Sequence, residues 1–531
     1  MQSKLLLRGA NIRTLNPDQP MAEAVLLDGD NIVWVGDDAD APSGCKEFHC
    51  NGKTIVPGFV DAHVHLYWIG HDTLCRSYLE AESFDDICDL IRDQARSKGP
   101  DEWIFGIGVN DFKLKEGRLP DRHILDAVGE GRPIYLRRFC GHSATCNSAA
   151  LRIAGIDETT ADPLGGQIER DGGAPTGVLR EMAMHLVNLH VPKPAPEDVG
   201  AAVKNLAKKL LQYGVTGCCE AAVGFTNSFD DEWQVWEQLK ADPDYPQRMD
   251  FMLRLDPADA VERGLRPAVA HPDWRVATLK FFEDGIVGAR TAAFNAPYRD
   301  SGKPGMIMYP GNQLCDQVTQ AVRDGWQCGI HAIGDLAIAQ AANALLEGSR
   351  IGTSPGPMRI EHVALPTTSA IETLAEAGAA VVTQPSFISS MGDGFQSVMG
   401  YDTTQDMYPV RSLLDRGMSV VFSSDAPAGS LEPLAGMAAA VERQTATGKA
   451  FGEVEAITPL EALHLYTTAA STLFGQPAET RSIQSGGLSD LVLLDRDPFS
   501  EGCGAADLRE TNVVATVSRG RFAYAAPELS M

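Results

Sequence analysis

Eight short apolar runs, alternating with helix-like stretches through the middle of the chain, narrow the folds open to this sequence to very few. They are Phe59–His65, Val215–Glu220, Asp250–Leu255, Val276–Phe282, Gln327–Ala332, Met358–Val363, Ala380–Gln384 and Ser419–Ser424. Short continuous apolar runs are the signature of strands covered on both faces. Helical patterns lie between many of them, as in Asp198–Tyr213, Gln313–Gly325, Leu336–Leu346 and Thr367–Ala377. Eight alternating β/α units predict an α/β chain closed into a (β/α)8 TIM barrel over residues 57–483. An open doubly wound sheet is the alternative.

The two ends read differently. Ala24–Leu27, a turn at Asp28-Gly29-Asp30, and Ile32–Val35 form a hairpin pattern. Asp490–Asp495 and Val513–Val517 are strand-like, with a turn at Arg519-Gly520-Arg521. Neither end holds enough strands for a stable sheet, so residues 1–56 and 484–531 are expected to pair into one small β domain. Between Leu66 and Val215 the gap is too long for one crossover. It holds a helix (Phe84–Ser97), strand-like Trp103–Val109 and Ile134–Phe139, and a loop rich in glycine and proline from Asp162 to Gly177. An inserted lid or subdomain at about 100–195 is expected, since such long insertions are usually functional.

Composition excludes several classes of function. With 531 residues and a net charge of −26, the chain is large enough for more than one domain and acidic enough to disfavour nucleic acid and anionic membranes. The segment Met1–Arg8 is too short in apolar residues for a signal peptide or membrane span, and reads as a first strand of a cytoplasmic protein. The 11 cysteines are scattered without a paired zinc pattern, so they read as reduced core thiols, Cys218-Cys219 included.

Chemistry gathers at the strand ends. His63 and His65 close the first run, and alternate strand residues project to one side, so the two imidazoles point together. Lys280 lies on the fourth run, His331 ends the fifth, His362 the sixth, and Asp425 follows the eighth. Four of only 12 histidines thus fall on the face where barrel enzymes build their sites. Imidazole and carboxylate suit zinc and similar divalent ions. Such an ion brings the pKa of its water to about 7. A neighbouring carboxylate can take that proton and pass it to a leaving group, and Asp425 fits this role; its plainer reading is a helix N-cap.

Pro57-Gly58-Phe59-Val60-Asp61-Ala62-His63-Val64-His65 resembles the opening signature of the amidohydrolase superfamily. Gly141-His142-Ser143-Ala144, Lys280-Phe281-Phe282-Glu283-Asp284-Gly285, His331-Ala332-Ile333-Gly334-Asp335, Arg359-Ile360-Glu361-His362 and Ser424-Asp425-Ala426-Pro427 resemble its family 3 branch, which includes N-substituted formamide deformylases. The resemblance runs in chain order from about residue 20 to about 520. It implies a β-sandwich made from both termini beside the barrel, and hydrolysis at carbon–nitrogen bonds other than peptide bonds. It implies His63, His65, His331, His362 and Asp425 as metal-site residues, with Lys280 as a carbamylated bridge between two ions. The alternative for Lys280 is a salt bridge to Glu283 or Asp284, so one or two ions, zinc first among them, stay open. The resemblance makes His142 a substrate-facing residue; its alternative is to cap a helix starting near Asn147. Asp425, His362 and His142 are the expected catalytic residues.

Arg290, Glu181 and Gln384 are further pocket candidates. Asp335 is either a partner of His331 or a helix cap, and Trp68, Phe112 and Phe387 are either pocket lining or core. The expected reaction is hydrolysis of an amide, N-substituted formamide, carbamate or N-acyl compound. A deaminase acting on a cyclic amidine or nucleobase-like substrate is the rival enzyme, and a non-catalytic regulator on the same fold is the rival outside enzymes. The expected partner is a small molecule, with a homodimer left open.

Overall fold

The computed structural model of the protein describes residues 4–163, 165–271, 273–527 and 529. The eight expected strands are all present: β1 (Phe59–Val64), β2 (Val215–Val223), β3 (Arg248–Leu253), β4 (Trp274–Phe282), β5 (Gln327–Ala332), β6 (Arg359–His362), β7 (Ala380–Thr383) and β8 (Val420–Phe422). They pair in chain order, each parallel to the next. Every residue of β1, β2 and β3 is buried, as strands between a packed interior and a helical coat must be. A (β/α)8 barrel is the fold, and the open sheet is excluded.

The ring closes where β1 meets β8. Asp425 N donates to His63 O (2.7 Å) and His65 N to Ala426 O (3.0 Å). Ser424 N and Oγ both donate to the Asp61 carboxylate, at 2.9 and 2.5 Å. Burial pushes the Asp61 carboxyl up to about 6 against those hydrogen bonds.

The covering helices follow their sequence signals. Pro196–Gln212 begins with proline, carries Glu197 and Asp198 in its first turn, and buries Val199, Val203, Leu206 and Leu210 on one face. Thr368–Glu376 is capped by Thr367, whose hydroxyl accepts from Ala370 N at 3.2 Å.

Strands from both ends of the chain build the small β-sandwich. In its six-stranded sheet, Thr54–Pro57 lies antiparallel to Leu491–Leu494, which pairs in turn with Val513–Ser518. The four-stranded sheet holds Leu5–Arg8 and the expected hairpin, Ala24–Asp28 with Asn31–Gly36. Leu7, Ile12, Val25, Leu491 and Val517 fill the space between them. Of the expected first strand, residues 1–3 lie outside the described residues.

The insertion differs from expectation in two ways. Its six-stranded sheet draws in Arg76–Ser77, which pairs with Ile104–Val109, so it starts well before residue 100. The stretch expected to be a loop from Asp162 to Gly177 is in large part a hairpin, Gly166–Asp171 with Ala174–Glu181. Glycine density there serves the turn: Gly172 and Gly173 take φ of 56° and 93°, the left-handed region that two-residue hairpin turns require. Residue 164 of that stretch lies outside the described residues. All 11 cysteines are free, and Cys218 and Cys219 are packed within β2. Among the described residues, no helix is long and apolar enough to cross a membrane.

Candidate metal centre

Strand periodicity brings His63 and His65 to the barrel mouth together, their rings 5.4 Å apart. Asp425 Oδ1 lies 3.3 Å from His63 Nε2 and 3.1 Å from His65 Nε2. His362 is 5.2 Å from His63 and 4.4 Å from His331, ring to ring. All four strand-end histidines and Asp425 therefore share one chamber. Asp425 precedes no helix, so capping does not explain it. Two of these residues hold left-handed backbone that non-glycine residues seldom adopt, His362 at φ 75° and Asp425 at φ 50°. Such strain persists where surrounding structure enforces it, most often at functional sites.

The outward nitrogens of these rings are held by neighbours, which sets the nitrogens left for an ion. His63 Nδ1 donates to Glu361 Oε2 at 2.6 Å, and His362 Nδ1 donates to Gln384 Oε1 at 2.7 Å. His331 Nε2 donates to Gly285 O at 3.0 Å. This leaves Nε2 of His63 and His362 and Nδ1 of His331 as acceptors. Glu361 is itself clamped by Arg359, whose Nε and Nη2 donate to it at 2.5 and 2.9 Å. Burial works against the Glu361 charge, yet Arg359 and Lys280 hold its carboxyl well below the usual range. Burial also lowers His65 to about 4 and His362 to about 3, and drives His331 down as well. These rings are neutral, the form that binds a metal.

Lys280 is buried, and its Nζ has no hydrogen-bond partner among the described residues. Neither Glu283 nor Asp284 pairs with it; Asp284 instead accepts from Ala293 N, Ile333 N and Gly334 N. Burial pushes the Lys280 ammonium down to about 8. Three neutral imidazoles, Asp425 flanked by His63 and His65, and an orphaned buried amine form a donor set that fits divalent ions.

His142 faces the site from the insertion, 6.0 Å from His331 ring to ring. Its neighbour Gly141 takes φ 78°, and a Cβ there would strike Trp68 at 2.3 Å, so this turn admits glycine alone. His142 caps no helix: Asn147 caps Ser148–Ile153 with its own side chain. Glu181 Oε2 lies 2.7 Å from His142 Nδ1. Burial opposes a charge on His142, but Glu181 outweighs it and raises the imidazole to about 9.

Of the further candidates, Glu181 and Gln384 stand beside site histidines, and Trp68, Phe112 and Phe387 line the chamber. Two do not join. Arg290 is paired with Asp300 at 2.7 Å, and Asp335 opens the helix Asp335–Ile351 while accepting from Asn295 N at 2.8 Å. The chamber, about 50 Å³, is otherwise walled by Phe139, Met391, Phe395 and Tyr408. A larger cavity of about 560 Å³ adjoins it, lined by Arg137, His185, Arg254, Lys280 and Tyr309. Trp68, His142, Phe225 and Phe282 line both.

Comparison with known proteins agrees with this geometry. The model of a family described as the amidohydrolase family matches residues 46–524. The N-substituted formamide deformylase of Arthrobacter pascens is 30% identical, over 98% of each chain. The putative amidohydrolase YtcJ of Bacillus subtilis is 27% identical, over 98% of this chain and 99% of its own. In solved structures, an uncharacterized metal-dependent hydrolase from Pyrococcus horikoshii shares the fold with a TM-score of 0.73 at 24% identity, covering 94% of this chain and 98% of that one. The chain belongs to the amidohydrolase family.

Proposed function

We propose that the protein is a divalent-metal hydrolase of small amides, N-substituted formamides, carbamates or N-acyl compounds, with zinc as the preferred ion. Family membership makes it an enzyme acting on carbon–nitrogen bonds other than peptide bonds. The observation that carries the metal reading is the convergence of ligand atoms of His63, His65 and Asp425 within 4.8 Å of one another, beside the neutral rings of His331 and His362. The formamide deformylase activity of the Arthrobacter relative supports the substrate class.

When bound, a divalent ion supplies Lewis acidity and makes hydroxide available near neutral pH. The protein's own groups do the rest. Glu361, clamped by Arg359, fixes the His63 ring so that Nε2 faces inward. Asp425 takes the proton of the attacking water and returns it to the departing nitrogen. His142, charged by its contact with Glu181, donates to the carbonyl oxygen as negative charge develops there. Phe225 stacks on His65 at 5.5 Å, and Phe282 lies tilted against His331 at 5.3 Å; together they keep bulk water from the centre. The experiment is metal analysis of the purified protein, followed by a screen of amides, carbamates and cyclic amidines with zinc-loaded enzyme. Ammonia release from amidines alone would favour the deaminase. Absence of metal and of zinc-restored activity would end the hydrolase reading.

Lys280 is proposed as a carbamylated bridge, since carbon dioxide reacts with neutral amine and burial supplies it. Two ions per chain are then expected. Lys280→Ala should lose activity and regain part of it with added short carboxylic acids. One ion per chain with an unmodified Lys280 in the mass spectrum of intact native protein would refute the bridge.

Glu181→Gln removes the charge that raises His142. A group with a raised pKa keeps its proton up to that value and loses it as pH rises through it. The alkaline limb of kcat/KM should therefore move to lower pH in Glu181→Gln, with little change in the acid limb. An unmoved alkaline limb would show that His142 does not act as a charged donor.

A further inference from the structure

The arginines lining these two spaces are handled unequally. Arg137 pairs with Asp72, and Arg138 with Asp111 at 2.6 Å. Arg254, immediately after β3, forms no ion pair among the described residues although it lies half-buried in the larger cavity. Its Nη1 donates to Gly224 O and its Nη2 to Met182 Sδ, each at 3.1 Å. A guanidinium carries five N–H groups in a planar fork, so three remain for a ligand. Burial lowers its pKa and outweighs the opposing pull of Tyr309, Glu232, Asp256 and Glu181, none of which is in ion-pair contact with it among the described residues. His185, held neutral at about 4 by burial, and Asn188 add hydrogen-bonding groups to the same cavity. Asp256 and Asp259 also line it, but both are exposed and neither pairs with the guanidinium.

Position ties this arginine to the reaction. Its Cζ lies 5.9 Å from the Phe225 ring and 5.8 Å from the Phe282 ring. Those rings pack against His65 and His331. One aromatic layer therefore separates Arg254 from two of the metal-site histidines. In a chain of net charge −26, anions meet no general attraction, so a specific cation is needed to hold one.

On the amide-hydrolase reading above, we infer that Arg254 binds a carboxylate carried by the substrate, and that the preferred substrates are anionic amides of the N-acyl amino acid class. The amide carbonyl sits at the histidines and Asp425, the carboxylate a few bonds away against the Arg254 fork, and an apolar side chain in the larger cavity beside Trp68, Phe225 and Phe282.

Calorimetry with N-acetylphenylalanine and N-acetylphenylalaninamide on zinc-loaded protein reads binding as the initial heat and turnover as continuing heat. The acid should bind about tenfold to a hundredfold tighter than the amide, the range expected for a charge-assisted pair. Arg254→Gln should bring that ratio to about one, and Arg254→Lys should retain part of it; thermal unfolding confirms that each variant is folded. Equal affinity for acid and amide, no binding of either, or a preference that survives Arg254→Gln overturns the inference. Acid binding with no turnover of any amide would leave the Arg254 site standing and remove the hydrolase reading instead.

Discussion

Replacing His63 and His65 together by alanine should strip the protein of its metal and abolish turnover while leaving a folded barrel. The two rings supply both Nε2 atoms that face Asp425 Oδ1. Without them the carboxylate stands alone on that side of the site. The Lewis acid is worth several kcal/mol in the transition state, so its loss should lower kcat/KM by at least about a thousandfold. The fold should survive for a specific reason. Removing His63 deprives buried Glu361 of one partner, but Arg359 still holds both its oxygens. The price in stability is then that of two truncated side chains, on the order of 2–5 kcal/mol in total. Elemental analysis alongside thermal unfolding checks both halves, and full metal occupancy in the double variant would defeat the ligand assignment.

Asp425→Asn should cut kcat by about 10²–10⁴-fold, the usual loss when a general base is removed. Burial acts against the Asp425 charge, but His63, His65 and His362 hold its carboxyl well below the ordinary range. It is therefore ionised at neutral pH, the form that a general base needs. Asparagine keeps the shape and much of the hydrogen bonding but cannot take that proton. Substrate binding should change little, so the loss falls on kcat more than on KM. Turnover near the wild-type rate would force the mechanism to be rebuilt around another base.

The barrel was legible because each strand is a continuous apolar run, and the site because histidines terminate those runs on one face. What stayed hidden depends on partners distant in sequence. Glu361 lies within a motif read for its histidine, yet its contact is with His63, 298 positions away. Arg254 has no motif at all: it is an ordinary residue after a strand until the structure shows its guanidinium in the cavity held only by Gly224 O and Met182 Sδ. The Asp162–Gly177 stretch was read as a loop because glycine marks both loops and the tight turns of hairpins. Asp335 and Arg290 were drawn in by proximity along the chain, whereas their side chains engage Asn295 and Asp300.

The join between β1 and β8 has a bearing on how the chain is made. Asp61 and Ser424, which staple that join, are separated by 363 positions. A chain that lacked residues 420–425 could hold β1 to β7 only as an open sheet with two unpaired margins. Such margins are templates for wrong association. Only when residues 420–425 arrive can the ring shut, and that same segment delivers the carboxylate that His63 and His65 await. On the proposed mechanism, closing the barrel and completing the site are thus one event, since the segment that brings the last strand also brings Asp425.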